Sequence, residues 1–166
     1  IYLDDSSNNN TIKGNNVCNG SIILEESSNN NIVGNTFVSD GLFVYFSYHN
    51  TVEDNIVNGK PLVYLEDVSN YKVEGAGQVI LVNCNNITVE KLDLSNTNIG
   101  IALWETEDSI ISNNNVSNSD NDGIYLQVSN NNTITRNTVS SWDNGISLDN
   151  SSNNIIVGND ICTSGD

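Results

Sequence analysis

The residues of this 166-residue chain that could do chemistry are mainly acidic, and many stand in pairs. The chain has 21 Asp and Glu against five Lys and Arg, which gives a formal net charge of −16. Paired carboxylates can act as acid and base in glycoside hydrolysis, or they can hold a hard cation. Most of these pairs fall in polar turns, where water solvates charge well: Asp4-Asp5, Glu25-Glu26, Glu53-Asp54, Glu66-Asp67, Glu105 with Glu107-Asp108, and Asp120 with Asp122.

Basic groups that could assist such carboxylates are scarce. Arg136 is the only arginine, the four lysines fall at unrelated positions, and His49 stands alone among aromatic residues. We therefore predict no catalytic residues. An enzymatic chain of this composition would be a glycoside hydrolase or a polysaccharide lyase. The net charge also disfavours nucleic acid and anionic membrane surfaces as partners.

One set of carboxylates suggests a metal. Asp40 and Asp122 each precede a glycine, Gly41 and Gly123, and Asp120 lies two residues before Asp122. Carboxylates on neighbouring turns repel one another unless a hard cation bridges them. We predict no cofactor, with calcium at Asp40, Asp120 and Asp122 as the one candidate metal.

Apolar residues recur regularly and define the elements that must position these groups. The unit is Gly-Ile-x-Leu, a polar turn with Ser-Asn-Asn, then Ile-x-x-Asn-x-Val, at steps of about 20–23 residues. Short apolar runs of period two predict strands, and stacked coils would cover one another's edges. The sequence predicts an all-β, single-stranded, right-handed parallel β-helix of about eight coils, forming one domain over residues 1–166.

Two columns of the repeat have expected roles. Asparagines repeat three residues after the second-strand Ile, and we predict that their amides bond from coil to coil as an Asn ladder of Asn15, Asn35, Asn55, Asn114, Asn137 and Asn159. Between the inward columns of the first strand lies an unusually apolar outward stripe of Tyr2, Ile23, Phe43, Tyr64, Ile80 and Tyr125. Such a stripe is typical of a contact surface, although β-propensity or sugar stacking would also account for it.

The cysteines suggest assembly. Cys18 follows Val17 and Cys162 follows Ile161, so both occupy the same phase at opposite ends of the repeat. Within one rod they would lie roughly 34 Å apart, too far to bond, but rods stacked end to end would bring them together. Cys18 and Cys162 are therefore the interchain disulfide candidates. In the alternative interpretation, the chain is a piece of a longer β-helix with reduced thiols.

The repeat resembles a known family. Gly-Ile-x-Leu with Ser-x-Asn-Asn-x-Ile-x-x-Asn-x-Val is similar to the parallel β-helix repeats of the periplasmic copper-binding (NosD) family and of related archaeal surface proteins. The central stretches 59–65 and 77–89 are similar to segments of those archaeal proteins. The resemblance implies the fold. A copper role does not carry over, because soft copper sites need clustered Cys, Met or His, and the chain has no Met and one His.

These observations favour an extracellular or cell-surface location. The chain lacks a signal peptide and any Met, so we expect a processed chain or a fragment. No segment is apolar over the length of a membrane span. Six Asn-x-Ser/Thr motifs are candidate glycosylation sites: Asn9, Asn19, Asn86, Asn115, Asn131 and Asn150.

Two functions follow from these expectations. The first is a non-catalytic building block of a surface layer, sheath or filament. It would self-associate head to tail or laterally, or stack on neighbouring β-helix coils, through open ends and the apolar stripe. The alternative is a carbohydrate-binding or polysaccharide-processing module with glycans as partners.

Overall fold

A computed structural model describes residues 1–165, and these residues form strands and turns without a helix. No described segment is therefore a helix long and apolar enough to cross a membrane. The strands, numbered along the chain, are β1 Tyr2–Leu3, β2 Thr11–Lys13, β3 Asn16–Cys18, β4 Ile22–Glu25, β5 Asn31–Val33, β6 Thr36–Val38, β7 Leu42–Tyr45, β8 Thr51–Glu53, β9 Ile56–Val57, β10 Lys60–Glu66, β11 Ser69–Val73, β12 Gln78–Val82, β13 Asn85–Glu90, β14 Ile101–Trp104, β15 Ile110–Ser112, β16 Asn115–Ser119, β17 Ile124–Gln127, β18 Thr133–Thr135, β19 Thr138–Ser141, β20 Ile146–Asp149, β21 Ile155–Val157 and β22 Asp160–Thr163.

The strands stack as parallel coils, which confirms the predicted β-helix. The solenoid has about seven turns, close to the predicted eight. Equivalent residues pair in register from coil to coil, for example Leu24 with Val44 and Leu103 with Leu126. Side chains alternate across each strand, so one apolar column per strand faces inward and is covered by the coils above and below.

One eight-stranded sheet runs through the chain in the order β20-β17-β14-β12-β10-β9-β6-β3, but the strand direction reverses once within it. Strands β1–β9 form a first stack, and strands β10–β22 form a second stack. Between them β9 and β10 pair antiparallel, with Lys60 opposite Val57. The turn residues Asn58 and Gly59 both have positive φ, 50° and 80°, as a two-residue type I′ hairpin requires. The single uninterrupted rod expected from the repeat is therefore divided into two parallel stacks.

The first sheet of the second stack lies between two apolar cores. All residues of β12 and β14 are buried. Val79, Leu81, Ile101 and Leu103 face the core of the second stack. Their neighbours on the opposite face pack with the core of the first stack; they are Ile80, Val82, Ala102 and Trp104. The sheet is thus buried on both faces, which explains why its outward positions are apolar.

A buried glutamine closes the open edge of the first stack. Gln78 accepts a hydrogen bond at Oε1 from the Leu42 backbone N–H (3.0 Å), and its Nε2 donates to the Leu42 carbonyl (2.9 Å). The side-chain amide therefore occupies the place of a neighbouring strand's peptide group. A Cβ on Gly41 would lie 2.3 Å from Gln78 Oε1, so this close approach requires glycine.

Candidate functional site

A group of potential metal ligands lies at the junction of the two stacks. His49 is in the turn between β7 and β8, Glu66 ends β10, and Asp67 follows it. One ligand atom from each of the three lies within 4.8 Å of the others. His49 Nδ1 is 3.6 Å from Glu66 Oε1. Among residues 1–165 this is the group of three or more His, Cys, Asp and Glu side chains that comes close enough to hold one ion.

The backbone at two of these positions is left-handed. His49 has φ 57° and Asp67 has φ 59°. Asn, Asp and His adopt this conformation more readily than other residues with a side chain. In the two preceding coils the position of His49 is held by Asn9 and Asn29, with φ 61° and 58°. His49 therefore replaces the asparagine of the repeat only in the coil next to the second stack.

Neighbouring donors orient the two carboxylates. The His49 backbone N–H donates to Glu66 Oε1 (2.6 Å), and the Tyr64 hydroxyl donates to Glu66 Oε2 (2.8 Å). Asn83 Nδ2 donates to Asp67 Oδ1 (2.6 Å). Burial, together with the charge of Glu66, raises the pKa of Tyr64 far above its ordinary value, so its hydroxyl stays a donor.

The group lines an acidic surface depression of ≈ 540 Å³. A third carboxylate, Glu105, accepts a hydrogen bond from the Tyr48 hydroxyl (3.0 Å). Burial and this bond raise the pKa of Tyr48 to about 12. No Lys or Arg lines the depression, so its electrostatics favour a cation; the lining residues are Ser28, Asn29, Tyr48, His49, Glu66, Asp67, Asn83 and Glu105.

The soft ligands needed for copper(I) do not converge. Cys84 is buried, and its thiol hydrogen-bonds to the carbonyls of Leu65 (3.4 Å) and Val82 (3.3 Å). Burial raises the pKa of the Cys84 thiol, which disfavours the thiolate that metals bind. Cys18 and Cys162 are free and exposed, on β3 and β22. The described residues therefore do not fit a soft copper site, although one imidazole and two carboxylates match a divalent ion of borderline hardness.

The predicted calcium residues do not form a three-ligand group within the described chain. Asp40 is buried and accepts hydrogen bonds at Oδ1 from the Ser21 hydroxyl (2.6 Å) and the Gly41 N–H (2.7 Å). Asp122 accepts from the side chain of Asn144 (2.9 Å), and burial raises its pKa. Asp120 is exposed. Asp40 thus acts as a turn-capping acceptor in the first stack, on the other side of the reversal from Asp120 and Asp122.

The Asn ladder is present in both stacks and interrupted between them. Asn35 donates from its backbone N–H (2.9 Å) and its Nδ2 (3.0 Å) to Asn55 Oδ1, and Asn15 makes the same bonds to Asn35. In the second stack Asn114 bonds Asn137 in this way, and Asn137 bonds Asn159.

Two further ladders were not predicted. In the turn that follows the first strand of a coil, a serine hydroxyl accepts a hydrogen bond from a backbone N–H of the preceding coil. Ser47 accepts in this way from Ser27 (2.9 Å), and Ser129 from Thr106 (3.1 Å). The Ser-x-x-Asn spacing in the turns is the sequence signal for these ladders. In the second ladder, the backbone N–H of one coil donates to the Asn Oδ1 of the next coil. It runs through Asn10, Asn30 and Asn50 in the first stack and through Ser109, Asn132 and Asn154 in the second.

The outward apolar stripe is divided by the reversal. Tyr2 is exposed and Ile23 is half-buried on the first stack. Ile80 is fully buried, and its side chain packs with the first-stack core. Tyr64, Tyr125 and Phe43 pack partly against the first-stack core. The stripe therefore serves mainly as an internal contact rather than as one continuous outer surface. All six glycosylation candidates, Asn9, Asn19, Asn86, Asn115, Asn131 and Asn150, are exposed.

The final coil leaves its inward column uncovered. Leu148, Ile156 and Ile161 are 38%, 45% and 44% exposed, whereas their partners one coil earlier are buried to 0–1% exposure: Leu126, Ile134 and Val139. The strands β20, β21 and β22 each have a partner on one side only within residues 1–165. A further coil stacked on these strands, from this chain or another, would bury the three side chains.

Comparison with known proteins gives a family but no individual relative. The family model described as "Periplasmic copper-binding protein (NosD)" matches residues 1–78 and, in a second overlapping match, residues 63–165. No curated protein and no solved structure matches the chain significantly.

Proposed function

The chain belongs to the periplasmic copper-binding (NosD) family, and on this basis we propose that it is a non-catalytic β-helix building block outside the cytoplasm. The family description names an extracytoplasmic compartment. We further propose that the chain works at the cell surface, in a layer, sheath or filament. Soft copper(I) binding is not part of this proposal, because the three cysteines and the single histidine do not converge.

The regular repeat carries the proposal, because its apolar columns and its Asn ladder can accept a further coil in the same register. Leu148, Ile156 and Ile161 continue columns that are fully buried elsewhere, and burying them would stabilise a complex through the hydrophobic effect. The Asn ladder supports a head-to-tail polarity. In every step the N–H groups of one coil donate to the Oδ1 of the next, so Asn159 of one copy would donate to Asn15 of another.

Particle mass in solution tests the assembly. We expect the wild-type chain to form concentration-dependent species above the monomer mass of about 18 kDa in light scattering. Ile156→Lys places a charge in the docking column and should abolish these species. The matched control Val157→Lys places the same charge on the outer face of the same strand and should leave them intact. A wild-type monomer at every concentration would contradict the proposal.

A disulfide would lock such a stack. Cys162 and Cys18 hold the same phase of the repeat and are both exposed and free. Under oxidising conditions we expect a ladder of high-mass species that collapses with reductant. Cys18→Ser or Cys162→Ser should each remove the covalent ladder while leaving the non-covalent species of the previous experiment. Oxidised chains that form no covalent species would contradict the disulfide but not the non-covalent assembly.

Carbohydrate binding is a second candidate, favoured by a groove of ≈ 330 Å³ beside Trp142. Trp142 is 64% exposed, and Asp120 lines the same groove. The hydroxyls of Ser119 and Ser141 are buried there without a hydrogen-bond partner in the described chain. An exposed indole and polar groups of this kind suit a neutral sugar. Cellohexaose should quench tryptophan fluorescence in the wild type but not in Trp142→Ala; no quenching in either protein argues against this function.

A further inference from the structure

We propose that His49, Glu66 and Asp67 bind one divalent cation of borderline hardness, with Zn²⁺ as the representative ion, and that this ion clamps the first stack to the second. The proposal concerns the junction and is independent of the assembly at the final coil. It also differs from a soft copper site, because its donors are one imidazole nitrogen and carboxylate oxygens.

The spacing of the donors fits one ion. Two ligands about 2.1 Å from a tetrahedral zinc lie roughly 3.4 Å apart. His49 Nδ1 and Glu66 Oε1 are already 3.6 Å apart. The third donor, from Asp67, lies within 4.8 Å of both, so a small rotation of its side chain completes the set.

The hydrogen bonds orient the two carboxylates and still leave oxygen lone pairs free to bind a metal ion. Tyr64 bonds Glu66 through Oε2, which leaves a lone pair of Oε1 available beside the His49 N–H. Asn83 bonds Asp67 through Oδ1, which leaves Oδ2 to the ion. Outer groups that fix ligating carboxylates in this way are typical of metal sites.

A buried amide beside the site lacks an acceptor. Asn50 follows His49 and is 7% exposed, and its Nδ2 donates to no group of the described chain. In the preceding coil the equivalent amide, Asn30 Nδ2, donates to the Ser27 carbonyl (3.1 Å). Asn50 instead points to the Tyr64 hydroxyl oxygen, the group that donates to Glu66 Oε2. Asn50 and Tyr64 thus form a polar layer behind Glu66, and a water molecule would supply the fourth ligand of the ion.

The site also joins parts of the chain that share no sheet hydrogen bonds at this point. His49 belongs to the last coil of the first stack, and Glu66 and Asp67 belong to the first coil of the second. A bound cation would relieve the repulsion between the two carboxylates and favour the packed arrangement of the stacks. Because the unfolded chain does not preform the site, ion binding should stabilise the native state.

Calorimetric titration with ZnCl₂ tests the proposal on the full chain. All variants carry Cys18→Ser and Cys162→Ser, so that exposed thiols bind no zinc. We expect one site per chain in this background. His49→Asn restores the residue that the repeat has at positions 9 and 29, so it should fold normally while weakening Zn²⁺ binding by more than about tenfold.

Matched variants separate the site from general acidity. Asp67→Asn should weaken binding to a similar extent, whereas Asp5→Asn should have no effect. Asp5 is also an exposed turn aspartate with positive φ. Cys84→Ser should leave the affinity unchanged. Zn²⁺ should raise the thermal unfolding midpoint of the background protein and not that of His49→Asn. Equal Zn²⁺ affinity in His49→Asn, no binding in any protein, or binding of Ca²⁺ in preference to Zn²⁺ would each overturn the proposal.

Discussion

Removing one rung of the Asn ladder should destabilise the protein far more than removing an exposed asparagine beside it. Asn137 is 1% exposed, and its Oδ1 accepts from both the backbone N–H (2.9 Å) and the Nδ2 (3.0 Å) of Asn114. Its own Nδ2 donates to the carbonyl of Ile111 (3.0 Å). Asn137→Ala deletes these bonds at once, at a position that bulk water does not reach in the native protein.

The cost follows from the groups left without partners. The Asn114 N–H and the Ile111 carbonyl would each lose a buried hydrogen bond, at about 1–3 kcal/mol apiece. Asn114 Nδ2 keeps its bond to the Val89 carbonyl (3.0 Å), so it adds little. We therefore expect the free energy of unfolding to fall by about 2–6 kcal/mol. Urea denaturation followed by circular dichroism measures this change.

The neighbouring Asn115 provides the control. It is exposed, and its Nδ2 donates to Asp93 Oδ1 at the surface (3.1 Å). Asn115→Ala should cost about 1 kcal/mol or less, since water can replace that bond. If Asn137→Ala and Asn115→Ala lower the free energy of unfolding equally, the ladder does not stabilise the stack as argued above.

Two more predictions concern burial. Ile80→Ala should lower the free energy of unfolding by about 2–5 kcal/mol in urea denaturation, because Ile80 is fully buried in the first-stack core. Ile23→Ala, at the same phase but half-buried, should cost clearly less, and equal costs would argue against the doubly buried sheet. Cys18 and Cys162 should react rapidly with a thiol reagent, whereas the buried, high-pKa Cys84 should react only after denaturation. Fast labelling of all three thiols in the native protein would contradict this assignment.

The coil repeat could be predicted because it depends on sequence patterns within each coil. Period-two apolar runs specify strands, and an asparagine every coil specifies where the amides stack. The pairs Leu24 with Val44 and Leu126 with Leu148 follow directly from that alignment. The break of the ladder near Ala76 and Leu92 was also visible in the sequence, and it falls within the first coils after the reversal.

The reversal itself was not predicted, although a signal exists. Asn58-Gly59 between Val57 and Lys60 is the residue pair that type I′ hairpins prefer. The apolar alternation has the same period before and after this turn, so aligning the columns conceals the change of strand direction. The apolar outward residues of β12 were recognised as a contact surface, but their partner is the other half of the same chain.

The junction group could not be derived from spacing alone. His49 and Glu66 are separated by the hairpin, and they meet only because the second stack folds back beside the last coil of the first. Their chemistry therefore depends on packing between stacks rather than on the repeat. The one local signal is the substitution of histidine where positions 9 and 29 have asparagine.

The Gln78 contact sets a rule for how chains of this kind can change length during evolution. Duplication of a whole coil after β19 adds one member to every column and preserves each existing pair. Duplication between Leu42 and Gln78 would carry the glutamine amide away from the strand edge that it closes. Relatives that share this reversal should therefore vary in coil number toward their ends, and keep a constant length between the glycine at position 41 and the glutamine at position 78.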